Sequence, residues 1–283
     1  MLWSGGEESS NVEDRRGFGG RGIAVGGGIG AAIIALIVYL LGGNPSQVLN
    51  NNQPGSTQGM EQQSTAGDST KKFAAVVLKY TEDVWGHLFD SMHKTYTDPH
   101  LVLFTQTTQS GCGFASEASG PFFCPADDKV YLDLSFFQEM KDRFHASGDF
   151  AMAYVIAHEV GHHVQYLMGI SQKVDAMRGQ LDEKQQNALS VKVELQADFL
   201  AGIWAHYADN MKNILQPGDI DDALNAANAI GDDRLQKQSQ GYVVPDAFTH
   251  GTSQQRMYWF KKGYDSGNMN EGNTFNNPEF SLN

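Results

Sequence analysis

The pentapeptide His158-Glu159-Val160-Gly161-His162 constrains this chain more than any other stretch. It lies inside the run from Asp149 to Gly169, which predicts one helix: Asp149 suits an N-cap, Gly169 suits a left-handed stop, and no proline intervenes. Residues four apart on a helix share a face. The imidazoles of His158 and His162 therefore reach one metal ion. Glu159 adjoins the first histidine, where its carboxylate can meet a metal-bound water without being a ligand. This is the H-E-x-x-H arrangement, two nitrogen ligands and a general base, and its usual ion is Zn²⁺.

A catalytic zinc ordinarily has three protein ligands and one open position. The third is sought on a second predicted helix, from Asp182 to Met211, ahead of Pro217. Asp182 with Gln185 forms a capping-box pattern at its start. Glu194 and Asp198 are four apart and share a face, so Glu194 reads as the third ligand. Asp198 then accepts the far ring N–H of a ligand histidine and fixes its tautomer. Gly161 on one helix, with Ala197, Ala201 and Gly202 on the other, permits the close approach this needs.

The N-terminal part has a different character. Residues 1–21 are Gly-rich and charged and predict a disordered segment. Gly22 to Leu41 carries no charge, over a length close to the ~20 residues that cross a bilayer, so residues 22–42 predict a transmembrane anchor. Arg15, Arg16 and Arg21 precede it and no Lys or Arg follows until Lys71. The positive-inside rule then puts the N-terminus in the cytoplasm and the rest of the chain in a periplasmic or extracellular space. A cleaved signal peptide is the alternative, opposed by the long leading segment and the lack of a small-x-small cleavage site. A buried soluble helix is a third reading, and a poor one given the glycines. Gly22, Gly26 and Gly30 are spaced as in paired transmembrane helices, so either they support a homodimer or they are simply tolerated in lipid. Residues 43–70, rich in Asn, Gln, Gly, Ser and Thr, predict a flexible linker.

One domain is expected over 71–264, followed by a loose tail at 265–283. Lys71 to Tyr96 has helical apolar spacing. Leu101–Thr105 and Lys129–Asp133 predict strands. Leu134–Ala146, Asp219–Ile230 and Ser253–Lys262 predict further helices, the last stopped by Gly263, and the fold class is α+β, mainly helical with a small sheet. Cys112 and Cys124 lie between the two strands. If the domain is exported they predict one disulfide, worth up to roughly 3 kcal/mol in the loop-entropy account; free thiols are the alternative. The net charge of −13, without a basic cluster, argues against nucleic acid as a partner.

HEVGH followed by Glu194-Leu195-Gln196-Ala197-Asp198 resembles the gluzincin pattern, H-E-x-x-H and then E-x-x-x-D on the next long helix. Cys112-Gly113, Gly120 to Asp127, Val130 to Phe137 and Thr249 to Arg256 carry a closer resemblance, to the bacterial membrane-anchored neutral zinc metallopeptidases. The resemblance implies a zincin-like domain that binds Zn²⁺ and a protein or peptide substrate. It implies that the strand Val130–Leu134 borders the substrate cleft and can take a peptide by strand addition, an ordinary sheet strand being the alternative, and that His250 helps to stabilise an oxyanion, a loop histidine that caps a helix being the alternative, with Tyr207 and Tyr242 as weaker oxyanion candidates. His163, turned about 100° from His162, is read as structural, and His206 as outside the site. Arg256 is read as an anchor for its helix. The expected function is membrane-anchored zinc metallopeptidase, with Glu159 as base. The alternative is a catalytically quiet scaffold that keeps the zinc, which retention of Glu159 opposes.

Overall fold

The structure, a computed structural model, describes residues 1–16, 60–116, 120–143, 146, 148–280 and 282, with only the backbone described at 60–67 and 279. The segment expected as an anchor, 22–42, lies outside these residues, as does 43–59 of the expected linker. Among the described residues no helix is long and apolar enough to cross a membrane.

The strands in chain order are β1 (Val12–Asp14), β2 (His100–Phe104), β3 (Thr107–Ser110), β4 (Gly113–Ser116), β5 (Phe122–Cys124) and β6 (Lys129–Asp133). The helices are α1 (Met60–Ser91), α2 (Ser135–Asp142), α3 (Asp149–Leu167), α4 (Ile170–Arg178), α5 (Glu183–Lys212), α6 (Asp219–Ala229), α7 (Asp232–Gln240) and α8 (Ser253–Ser266). This is the α+β, mainly helical architecture that the sequence predicts. The main sheet runs β1-β2-β6-β5, and β3 and β4 form a separate hairpin. β2 pairs in parallel with both β1 and β6, while β5 is antiparallel to β6. Leu101 to Phe104 are all buried, the near-continuous apolar run of a strand covered on both faces.

The disulfide Cys112–Cys124 ties the turn of the hairpin to the end of β5. The strand expected to border the cleft does not have a free edge. β6 lies between β2 and β5, so both of its hydrogen-bonding edges are used; the edge strands of the sheet are β1 and β5, and β5 is the one whose residues line the cleft described below. A local reading finds the more apolar strand, whereas the position in the sheet depends on pairings across the whole chain.

Helix α3 sits at the centre, against α1, α5 and α6. That explains why its sequence is apolar on most faces: Phe150, Ala153, Tyr154, Ala157, Val160 and Val164 are all fully buried. Asp149 is its first residue and not its cap; Gly148 stands at the cap position, and the Asp149 carboxylate accepts a hydrogen bond from the Trp3 indole at 2.7 Å. Gly169, at φ 74°, ends the α3 segment as expected, but the chain re-enters a helix at once in α4. The capping box at Asp182 and Gln185 opens α5 as expected.

Gly263 is not a stop. Helix α8 continues to Ser266 and is closed by Gly267 at φ 57°. Gly263 and Gly202 instead let α8 and α5 cross backbone against backbone: a Cβ at Gly202 would stand 2.0 Å from the Phe260 carbonyl oxygen, and one at Gly263 2.1 Å from that of Phe199.

Three further boundaries depart from expectation. α1 begins at Met60 and not at Lys71, so the last part of the expected linker is helical; its polar residues hid it from a reading based on apolar period. The tail packs on the domain: Gln196 Nε2 donates to the Gly272 carbonyl at 2.9 Å, Thr274 Oγ1 donates to the Lys192 carbonyl at 2.6 Å, and Phe275 stacks on Phe280. Residues 1–16 are not disordered. They run across the domain and end in β1, because pairing with β2 supplies the order that a short polar segment lacks by itself.

Candidate metal centre

Helices α3 and α5 carry the centre, and Gly161 sets their distance. A Cβ there would lie 3.1 Å from the Ala197 carbonyl oxygen and 3.3 Å from its Cα, so a larger residue would push α5 away. The close approach brings His158, His162 and Glu194 together, and their ligand atoms all lie within 4.8 Å of one another. His158 Nε2 is 3.1 Å from Glu194 Oε2, and His162 Nε2 is 3.5 Å from Glu194 Oε1. Bonds of about 2.0–2.1 Å at the tetrahedral angle separate two zinc ligands by about 3.3 Å, so this donor set fits the ion that the sequence implies.

The other ring nitrogen of each histidine is also committed. Asp198 Oδ1 is 2.9 Å from His158 Nδ1, the contact expected from the sequence. Gln165 Oε1 is 2.9 Å from His162 Nδ1. Both acceptors favour the tautomer that leaves Nε2 free for a metal. Gln165 is in turn held by donation from its Nε2 to the Val193 carbonyl and to Gln196 Oε1. The sequence reading missed it, although it lies three residues after His162 on the same helix.

Asp198 is wholly buried and collects several donors. The Tyr154 hydroxyl donates to Oδ1, and Arg256 donates through Nε to Oδ2 at 2.9 Å and through a terminal nitrogen to Oδ1 at 3.0 Å. Arg256 thus anchors α8, as expected, and its anchor is the carboxylate behind His158. Burial works against the charge on Asp198, but Arg256 and His158 overcome it and hold the carboxyl down at about 2. Burial likewise opposes a cationic His158, yet Asp198 and Glu194 raise its pKa to about 10. Glu194 is held well below its usual range against the same penalty by His162 and His158. A divalent ion bound there would compete with protons for the imidazoles.

Glu159 is buried beside His158 and lines the same cleft; among the described residues no side chain hydrogen-bonds to it. The cleft has a volume of about 890 Å³. Phe122 and Phe123 of β5 line it, as do Ile230 and Leu235. His250 also reaches the cleft, with its side chain half exposed. Its Nδ1 is 3.0 Å from Thr249 Oγ1, and its charged partner is Asp232, which no sequence pattern marked. Asp232 Oδ2 accepts from the backbone N–H groups of Thr249, His250 and Gly251 at 2.6–3.0 Å, and Oδ1 is 3.3 Å from His250 Nδ1. That hydrogen bond is the main influence raising the pKa of His250.

The remaining candidates fall elsewhere. His163 is bonded to Asp128 and to the Thr97 carbonyl, a structural role as expected. His206 and Tyr207 are bound to the Tyr264 and Gly267 carbonyls, and neither they nor Tyr242 line the cleft.

Comparison with known proteins agrees with this geometry. The chain is 50% identical over 288 residues to the "Uncharacterized protein YpfJ" of Escherichia coli, covering 97% of this chain and 99% of that protein. It is 39% identical over 254 residues to "Uncharacterized protein Mb2605" of Mycobacterium bovis, covering 83% and 84% of the two chains. No solved structure matches. A family model matches residues 1–275, and the chain belongs to that family, described as "Putative neutral zinc metallopeptidase".

Proposed function

We propose that the protein is a zinc peptidase in which His158, His162 and Glu194 hold the ion and Glu159 is the base. The observation that carries this reading is the His158–His162–Glu194 group at ligand spacing, with the Glu159 carboxylate, to which no side chain of the described residues hydrogen-bonds, next to it in the cleft. Zinc bound there would lower the pKa of water and polarise a carbonyl. Glu159 takes a proton from the attacking water and delivers it to the leaving amine. Asp198 and Gln165 keep the two histidines in the ligating tautomer. His250, oriented by Asp232, donates to the carbonyl oxygen as negative charge develops on it. The substrate lies along the outer edge of β5 and adds to the sheet as a strand, with side chains against Phe122 and Phe123. Attachment to a membrane through 22–42 rests on the sequence alone.

The test compares cleaved protein ends in cells expressing wild type and Glu159→Gln, beside elemental analysis of the purified full chain. Zinc in both and a set of ends present only with wild type are expected. Zinc in both with identical ends would leave a zinc-holding scaffold as the reading.

His250 and Asp232 have a separate test. His250→Ala should lower kcat by about 10²–10³-fold, the usual loss for one oxyanion donor, at unchanged zinc content. Asp232→Ala should lower it by a similar factor, and the double variant should be no worse than His250→Ala. Additive losses would mean that Asp232 does not act through His250.

A further inference from the structure

The first 16 residues are built into the domain. Val12 to Asp14 pair with Leu101 to Leu103, and the ladder is extended by Leu101 N–H donating to the Asn11 carbonyl and Arg15 N–H donating to that of Leu103, both at 2.8 Å. Further back, Leu2 N–H donates to the Ile214 carbonyl at 2.7 Å and Ser9 N–H to that of Ala75 at 3.0 Å. The Trp3 ring meets Phe73 edge-on, and its indole N–H reaches Asp149 at the start of α3. Gly6 shows that the sequence is fitted to this path, since a Cβ there would stand 2.6 Å from the Tyr80 hydroxyl and 2.7 Å from Val76.

Arg16, the last described residue of the N-terminal segment, lies beside the first part of α1. Arg16 lies 3.8 Å from Asp68, and Lys71 lies 3.1 Å from Asp14. Gly22 to Leu41 falls between these points and is long enough to cross a bilayer. One crossing there would put residues 1–16 and the domain on opposite sides, and β1 could not reach β2. A second crossing would have to use residues 42–59, a polar run of Asn, Gln, Gly and Ser that hydrocarbon does not accept. Exchanging N-terminal segments between neighbouring chains of one orientation does not remove the conflict, because every such segment would be on the wrong side.

The arginines behind the opposite expectation are also accounted for. Arg15 Nε is 2.9 Å from Glu13 and Arg16 is 2.7 Å from Asp14, and Arg15 also donates to the Gln109 carbonyl. Two of the three arginines that suggested a cytoplasmic N-terminus therefore have ion-pair partners within the fold.

We propose that residues 1–16 and the metal-bearing domain lie on the same side of any membrane to which the chain attaches. This does not depend on the zinc reading. The test uses two full-length variants, Glu8→Cys on the N-terminal segment and Lys184→Cys at the start of α5, both at exposed positions. A membrane-impermeant maleimide is applied to intact spheroplasts, then to samples permeabilised and unfolded, with the unsubstituted chain as the background for Cys112 and Cys124. The same response at both positions, either labelled or protected until permeabilised, is expected. Labelling of one position and protection of the other in intact spheroplasts overturns the proposal. Gly6→Val gives an independent reading in native membranes. It should lower the thermal midpoint by about 3 °C or more, whereas a segment held across the bilayer from its domain would leave the midpoint unchanged.

Discussion

Glu194→Ala should purify with little zinc and without peptidase activity, while Glu159→Gln should purify with a full equivalent of zinc and lose activity by about 10²–10⁴-fold, the usual contribution of a general base. The contrast follows from position. Glu194 faces both histidines, with oxygens 3.1 and 3.5 Å from their Nε2 atoms, and its removal leaves two protein ligands. Glu159 lies on α3 beside His158, outside the group whose atoms converge. Glutamine keeps its size there but cannot accept the proton. Zinc is measured by elemental analysis and activity on an unfolded protein substrate. A full equivalent of zinc in Glu194→Ala would show that the ligand assignment is wrong, and loss of zinc in Glu159→Gln would make Glu159 a ligand.

The largest effect on stability is expected at Asp198. Asp198→Ala leaves the Arg256 guanidinium, 3% exposed, without its counter-charge. Removing one partner of a buried ion pair destabilises by about 3–5 kcal/mol. The same change removes the acceptor on His158 Nδ1, so zinc affinity should fall about 10–100-fold, as for other losses behind a metal ligand. Arg256→Met should also destabilise, since it leaves a buried carboxylate with fewer donors. The double variant should cost clearly less than the two single changes added, because no uncompensated charge remains. Denaturant unfolding of the full chain measures the stabilities, and competition with a chelator measures the zinc. Additive losses would show that the pair is not coupled, and unchanged zinc affinity in Asp198→Ala would show that its bond to His158 does not tune the metal.

The sequence by itself determined what local geometry can determine. A four-residue spacing on a helix places two side chains together whatever else the chain does, so His158 with His162 and Glu194 with Asp198 were legible, as were the capping box at Asp182 and the apolar character of the central helix. The tertiary structure alone decided which pairs of elements meet. Asp232 lies 18 residues from His250 in an unremarkable acidic stretch, and only the packing of α7 against the loop before α8 makes it the partner of that histidine. β5 and not β6 is the edge strand on the β6 side of the sheet because β6 is paired on both sides, a property of strand order that neither strand carries in its own residues. Gly263 looked like a stop because a helix glycine usually costs stability, and it is instead a contact point with Gly202 of α5. Residues 1–16 read as disordered because they have little apolar content and no period; their order comes from a β2 edge 89 residues further on. In each case the free energy comes from a contact distant in sequence, and no local pattern of residues encodes it.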